Sequence, residues 1–258
     1  MYGNTILLIL QTNERMNMKN NKDSFAKNVA DINRLEELYY IQGYIKCLKT
    51  RGSQANLIES PIISVRPQQL DNKQSIPDAI IEVDGSKDWT EITTFSRSQE
   101  MRNNIGIHRK NYNAYTKPHI IQGLSISQFA LLGIGFLHAL SKKVDKNYSR
   151  FAAISENPPL GHLIVALVND DPFLEEDHFN NLVNYLKDEH VLESSNVARS
   201  YFKVIIIAAF VRCPDSIWKL KFATIANEQV LSRIRERQIR KSLLLQQLNK
   251  TLQEKVLS

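Results

Sequence analysis

Asp78 and Glu91 are two carboxylates thirteen residues apart, each set in a short β-prone run, IPDAIIEV and WTEITTF, joined through DGSKD. This pattern points to a hard divalent cation. Mg²⁺ or Mn²⁺ takes oxygen ligands from one or two carboxylates, backbone carbonyls and water. A cation held in that way generates hydroxide and neutralises developing charge, as phosphodiester hydrolysis at neutral pH requires. Asp78 opens the first run directly after Pro77, and Glu91 precedes Thr93 by two residues. Side chains alternate along a strand, so Glu91 and Thr93 project from one face, and the carbonyl of Ile92 between them becomes a further ligand. The expected metal set is Asp78, Glu91 and the Ile92 carbonyl.

Other chemistries find little support. Cys47 and Cys213 belong to no CxxC or other metal spacing, which argues against a disulfide framework and a zinc site and makes a reducing cytoplasm the expected compartment. The six histidines show neither HExxH nor HxH spacing, and His138 and His162 sit in apolar contexts that predict hydrogen-bonded core residues. Gly133-Ile134-Gly135 does not complete GxGxxG, and no GxxxxGK occurs. The longest apolar runs, Ile6 to Leu10 and Val204 to Val211, fall far short of the roughly 20 residues of a membrane-spanning helix. The first run also lacks the flanks of a secretory signal.

The elements that position the acids follow from periodicity. Apolar residues from Ile32 to Leu48 recur at helical spacing, with Asp31 as the expected N-cap and Gly52 as the stop. LIESPIISV, interrupted by Pro61, predicts an edge or broken strand. The two acid-bearing runs predict a hairpin through Asp84-Gly85 with a five-residue connection. A long helix is expected over 125–147, its Gly133 and Gly135 allowing close packing on the sheet. HLIVALV and YFKVIIIAAFV read as buried strands separated by an acidic helix near 175–191. WKLKF and a helix over 224–256 follow. Leu231, Ile234, Leu245, Leu248 and Leu252 trace a heptad seam in that helix, broken by Gln238 and Lys241, which suggests a homodimer through it. Residues 1–25 form a polar lead-in, 26–215 the main α/β domain and 216–258 a C-terminal α/β extension ending in the long basic helix.

The order of these elements resembles the PD-(D/E)xK nuclease superfamily, that is, the restriction-endonuclease-like fold. The resemblance is carried by RLEELYYIQGYIKCL, PDAIIEVDG, WTEITTF, ALSKKVDKNY and HLIVALV, a little over half of the chain. It implies an αβββαβ core around a mixed sheet, Mg²⁺- or Mn²⁺-dependent cleavage and DNA as substrate. It also implies Glu36 or Glu37 on the first helix as a third acid. One position departs from the pattern: the family's lysine after the second acid is Thr93 here, and a neutral hydroxyl supplies no positive charge to the attacking water or scissile phosphate. The family tolerates relocation of that lysine, and Lys143 and Lys146, three apart on the long helix, are the expected replacements.

Charge is segregated along the chain. Residues 95–118 carry five Lys and Arg against Glu100, the tail from Ala223 carries seven against three acids, and 170–195 holds eight acids against Lys187. Such segregation points to a polyanion partner. Arg97, Arg102, Arg109 and Lys110, interleaved with Tyr112 and Tyr115, suit phosphate contact and base stacking. The expectation is therefore a metal-dependent nuclease acting on nucleic acid, with DNA favoured and no membrane association. The alternative is a catalytically silent nuclease-like module that binds nucleic acid or a protein partner, and Thr93 is the residue that favours it.

Overall fold

The computed structural model describes residues 22–60, 77–95, 126–151, 161–167, 174–215 and 218–256. In chain order these form α1 (Lys22–Thr50), β1 (Ala55–Glu59), β2 (Ala79–Val83), β3 (Ser86–Phe95), α2 (Ile126–Phe151) and β4 (Gly161–Leu167). There follow α3 (Glu176–Leu186), α4 (Glu189–Glu193), a 3-10 turn at Val197–Arg199, β5 (Phe202–Arg212), β6 (Trp218–Ala226) and α5 (Glu228–Val256).

The six strands make one mixed sheet in the order β1 to β6. β1–β2, β2–β3 and β5–β6 are antiparallel, whereas β3–β4 and β4–β5 are parallel. Connection length explains the pattern, since a two-residue turn can only reverse the chain and a parallel return needs a long crossover. Asp84 (φ 50°) and Gly85 (φ 83°) form that turn between β2 and β3. Two successive positive φ angles are the signature of a type I′ hairpin, which asparagine, aspartate and glycine tolerate. The hairpin is tighter than the five-residue connection expected from sequence, because Ser86, Lys87 and Asp88 pair with Val83, Glu82 and Ile81 as strand. β1 is an edge strand, as expected for the start of LIESPIISV, whose part from Pro61 onward lies outside the described residues.

Alternation along each strand divides the core into two layers. Trp89, Phe95, Leu163, Val165, Ile205 and Ile207 face Leu132, Phe136, Leu140 and Val144 of α2 and the apolar side of α3. Ile81, Ile92, Ile164, Ala166, Ile206 and Ala208 face Tyr40, Ile41, Tyr44 and Ile45 of α1 on the other side. Helices thus cover both faces, and β4, buried along its whole length, runs through the middle. Gly161 starts β4 where a Cβ would lie only 2.2 Å from the Trp89 ring, so glycine is what lets that indole pack across the strand.

The extension is part of the same sheet, since β6 pairs with β5 along its length, and Leu231 and Ile234 at the start of α5 are fully buried in the core. Three local expectations fail. α1 begins at Lys22, so Asp31 lies inside the helix and is not its cap. Gly133 admits the Tyr185 ring of α3, with a Cβ position 2.9 Å from it, rather than an approach to the sheet. His138 is exposed on α2, since it falls off the sheet-facing stripe.

Candidate metal centre

β3 outruns β2. Their last pairing is Ala79 with Thr90, whereas β3 continues to Phe95, so the backbone groups of Ile92 on that side have no ladder partner. Buried peptide groups must be satisfied somewhere. Here Asp78 Oδ2, just before β2, accepts the Ile92 N–H at 2.7 Å, and the Ile92 carbonyl accepts Lys143 Nζ at 2.8 Å. The same ammonium lies 2.5 Å from Glu91 Oε2 and 3.4 Å from Asp78 Oδ2. Three oxygens therefore converge on one positive group, and they are the three predicted from sequence as metal ligands.

Burial sharpens these contacts. The Glu91 side chain is 5% exposed, that of Lys143 14% and that of Asp78 27%, so the centre is closed on the β3 side and opens past Asp78. Burial by itself disfavours the Lys143 ammonium, but the negative charges of Asp78 and Glu91 and its hydrogen bonds to them prevail and raise its pKa above the ordinary lysine value. Lys143 is accordingly a fixed cation at neutral pH.

The docking of α2 on the sheet selects Lys143 over its neighbour. Phe136, Leu140, Val144 and Asn147 are buried on the sheet-facing stripe of α2, and Lys143 falls within that stripe. Lys146 falls at its edge and is exposed. Thr93 is half-buried on β3, on the same face as Glu91. Glu36 and Glu37 are half-buried on α1, the helix that packs on the opposite face of the sheet from α2 and Lys143. Arg97, Arg102, Arg109, Lys110 and Tyr112 lie outside the described residues.

The donor set fits a small hard cation. Two carboxylates and a backbone carbonyl are ligands of the kind Mg²⁺ and Mn²⁺ take, and here the Lys143 ammonium lies among them. Among the described residues no three or more His, Cys, Asp or Glu side chains are grouped as they would be around a metal.

A second polar cluster, not foreseen from sequence, lies on the α1 face. Lys203 Nζ is 2.5 Å and His162 Nε2 3.3 Å from Asp88 Oδ2, Ser86 donates to Asp88 Oδ1, and Tyr44 Oη lies 3.0 Å from His162 Nδ1. It ties β3, β4, β5 and α1 together through groups whose sequence separation hides them. Burial opposes ionisation of Asp88, but the bonds from His162, Lys203 and Ser86 and the Lys203 charge outweigh it and hold the carboxyl down at about 2. His162 is thus the buried, hydrogen-bonded histidine its sequence context predicted.

The segregated charges partly answer each other. Glu189 pairs with Arg233 and Arg237, Glu193 with Arg237, and Glu176 with Lys221. The heptad seam is also divided. Leu231 and Ile234 are spent on the core, while Leu245 and Leu248 are more than half exposed further along α5. No helix among the described residues is long and apolar enough to cross a membrane. No family model, curated protein or solved structure matches the chain.

Proposed function

We propose that the chain is a metal-dependent nuclease of the PD-(D/E)xK type in which the lysine of the family pattern has moved from the strand position of Thr93 to Lys143 on α2. The observation that carries this reading is the meeting of Lys143 Nζ with Glu91 Oε2, the Ile92 carbonyl and Asp78 Oδ2. The order α1, β1, β2, β3, α2, β4, with β4 parallel to β3, also fits the αβββαβ core of that superfamily.

Asp78, Glu91 and the Ile92 carbonyl would hold Mg²⁺ or Mn²⁺, which supplies a low-pKa water and neutralises charge on the phosphate. The Ile92 N–H orients the Asp78 carboxylate, and Glu91 lies buried with its Oε2 at the centre. Lys143 supplies the positive charge that Thr93 cannot, steadying the nucleophile and the scissile phosphate. The basic segment 95–118 is the proposed contact for a nucleic acid, DNA for preference, and the exposed leucines of α5 are the surface through which two copies would pair.

Incubation of the purified protein with supercoiled plasmid, linear duplex and single strands, with Mg²⁺, Mn²⁺ or chelator, tests the reading. Cleavage that needs the metal and is lost in Asp78→Asn and Glu91→Gln is expected. A protein that binds nucleic acid yet cuts none of these substrates with either metal would support the silent-module reading, which Thr93 and the already compensated carboxylates favour.

A further inference from the structure

The Lys143 ammonium has three N–H donors, and the centre offers it three oxygens: Glu91 Oε2 at 2.5 Å, Ile92 O at 2.8 Å and Asp78 Oδ2 at 3.4 Å. These are the same oxygens a divalent cation would take. An ammonium and a divalent cation cannot both sit in contact with one set of ligands, because each loses its oxygens to the other and the two positive charges repel at short range.

We propose that Lys143 is a tethered cation that competes with the divalent metal for Asp78, Glu91 and the Ile92 carbonyl, so that metal entry requires the ammonium to swing out of the ligand set. The proposal rests on the nuclease reading and adds to it a gate on metal occupancy. Before the metal arrives, the ammonium lies against both carboxylates, one of them buried, and balances their side of the centre. The ammonium is carried on a flexible four-carbon stem, and the side chain retains 14% exposure beside the more open Asp78. The displaced amine stays next to the centre, where it meets the nucleophile. Metal affinity is therefore weakened by an internal competitor, and the step that binds the metal also releases the amine for its second role.

The test measures binding of Mn²⁺ alone, by calorimetry and by loss of the free-ion electron paramagnetic resonance signal, with no nucleic acid present. Lys143→Met keeps the aliphatic stem without the charge, and Lys143→Gln keeps a donor toward Glu91 should the methionine variant fold poorly. Either folded variant is expected to bind Mn²⁺ at least about tenfold more tightly than the wild-type protein, the removed charge having been in contact with the ligands. The same variants should start with a lower melting temperature than wild type and gain more from saturating Mn²⁺, since the metal restores the compensation that the lysine provided. Adding Glu91→Gln to either variant should abolish the gain. Mn²⁺ binding by both folded variants that is no tighter than that of the wild type would overturn the competition while leaving the metal centre and the nuclease reading intact. Absence of Mn²⁺ binding in the wild type and in both variants would overturn the competition and the metal centre together.

Discussion

Asp78 and Ile92 are joined by a hydrogen bond from the Ile92 N–H to Asp78 Oδ2 at 2.7 Å, made where β3 has outrun its antiparallel partner. One unpaired peptide group thus orients a carboxylate, and its own carbonyl receives the lysine at 2.8 Å. The end of a hairpin ladder has become the frame of a charged centre.

The two acids should respond differently to removal. Asp78, on the open side, is expected to tolerate alanine with a loss of about 1–2 kcal/mol, the cost of leaving the Ile92 N–H without its acceptor. Glu91→Ala strands a buried ammonium and should cost about 3–5 kcal/mol, against a smaller loss for Glu91→Gln. Urea denaturation of the three variants checks the ranking. Equal stabilities for Asp78→Ala and Glu91→Ala would mean that Glu91 faces water in solution.

Lys143→Met should lower metal-dependent cleavage by roughly two to four decades, the range typical of losing one positioned electrostatic or acid–base group. Thr93→Lys added to that variant should recover part of the loss, because position 93 projects from the same strand face as Glu91. Lys146→Met, on an exposed residue, should leave cleavage within about twofold of wild type. Single-turnover kinetics at saturating Mg²⁺ read all three. A Lys146 effect as large as that of Lys143 would exchange their roles.

Asp88 makes a pH prediction. Its folded pKa, about 2, lies below its unfolded value near 3.8, so its contribution to stability is fully present above the unfolded value and is lost as pH falls through the folded one. Chemical denaturation between pH 5 and about pH 2 should show stability falling with acid in wild type, and Asp88→Asn should flatten that dependence while lowering stability at pH 7. An identical slope in the variant would show that Asp88 is not paired with Lys203 and His162 in solution.

Nucleic-acid affinity is expected to fall steeply with salt, and joint neutralisation of Arg97, Arg102, Arg109 and Lys110 should flatten the slope. Arg233 and Arg237 already face Glu189 and Glu193, so neutralising them should change the slope much less. Fluorescence anisotropy of a labelled duplex across a salt series separates the two groups. A larger effect from the α5 pair would move the nucleic-acid contact to the C-terminal helix.

The amino-acid sequence alone determined the element types, the hairpin joining the two acids and the shared strand face of Glu91 and Thr93. All of these depend on periods of two and 3.6 residues and on turn residues such as Asp84 and Gly85, which act over a few positions. It also singled out Lys143 and Lys146 as the candidate cations on the long helix. Which of them turns inward was decided by tertiary packing, because the side of α2 that faces the sheet is set by how Phe136, Leu140 and Val144 dock on β3, β4 and β5. The start of α1, the partner of Gly133 and the Asp88–His162–Lys203 cluster were likewise settled only in the fold. Each depends on residues from distant parts of the chain meeting across the sheet, and no local spacing records such a meeting.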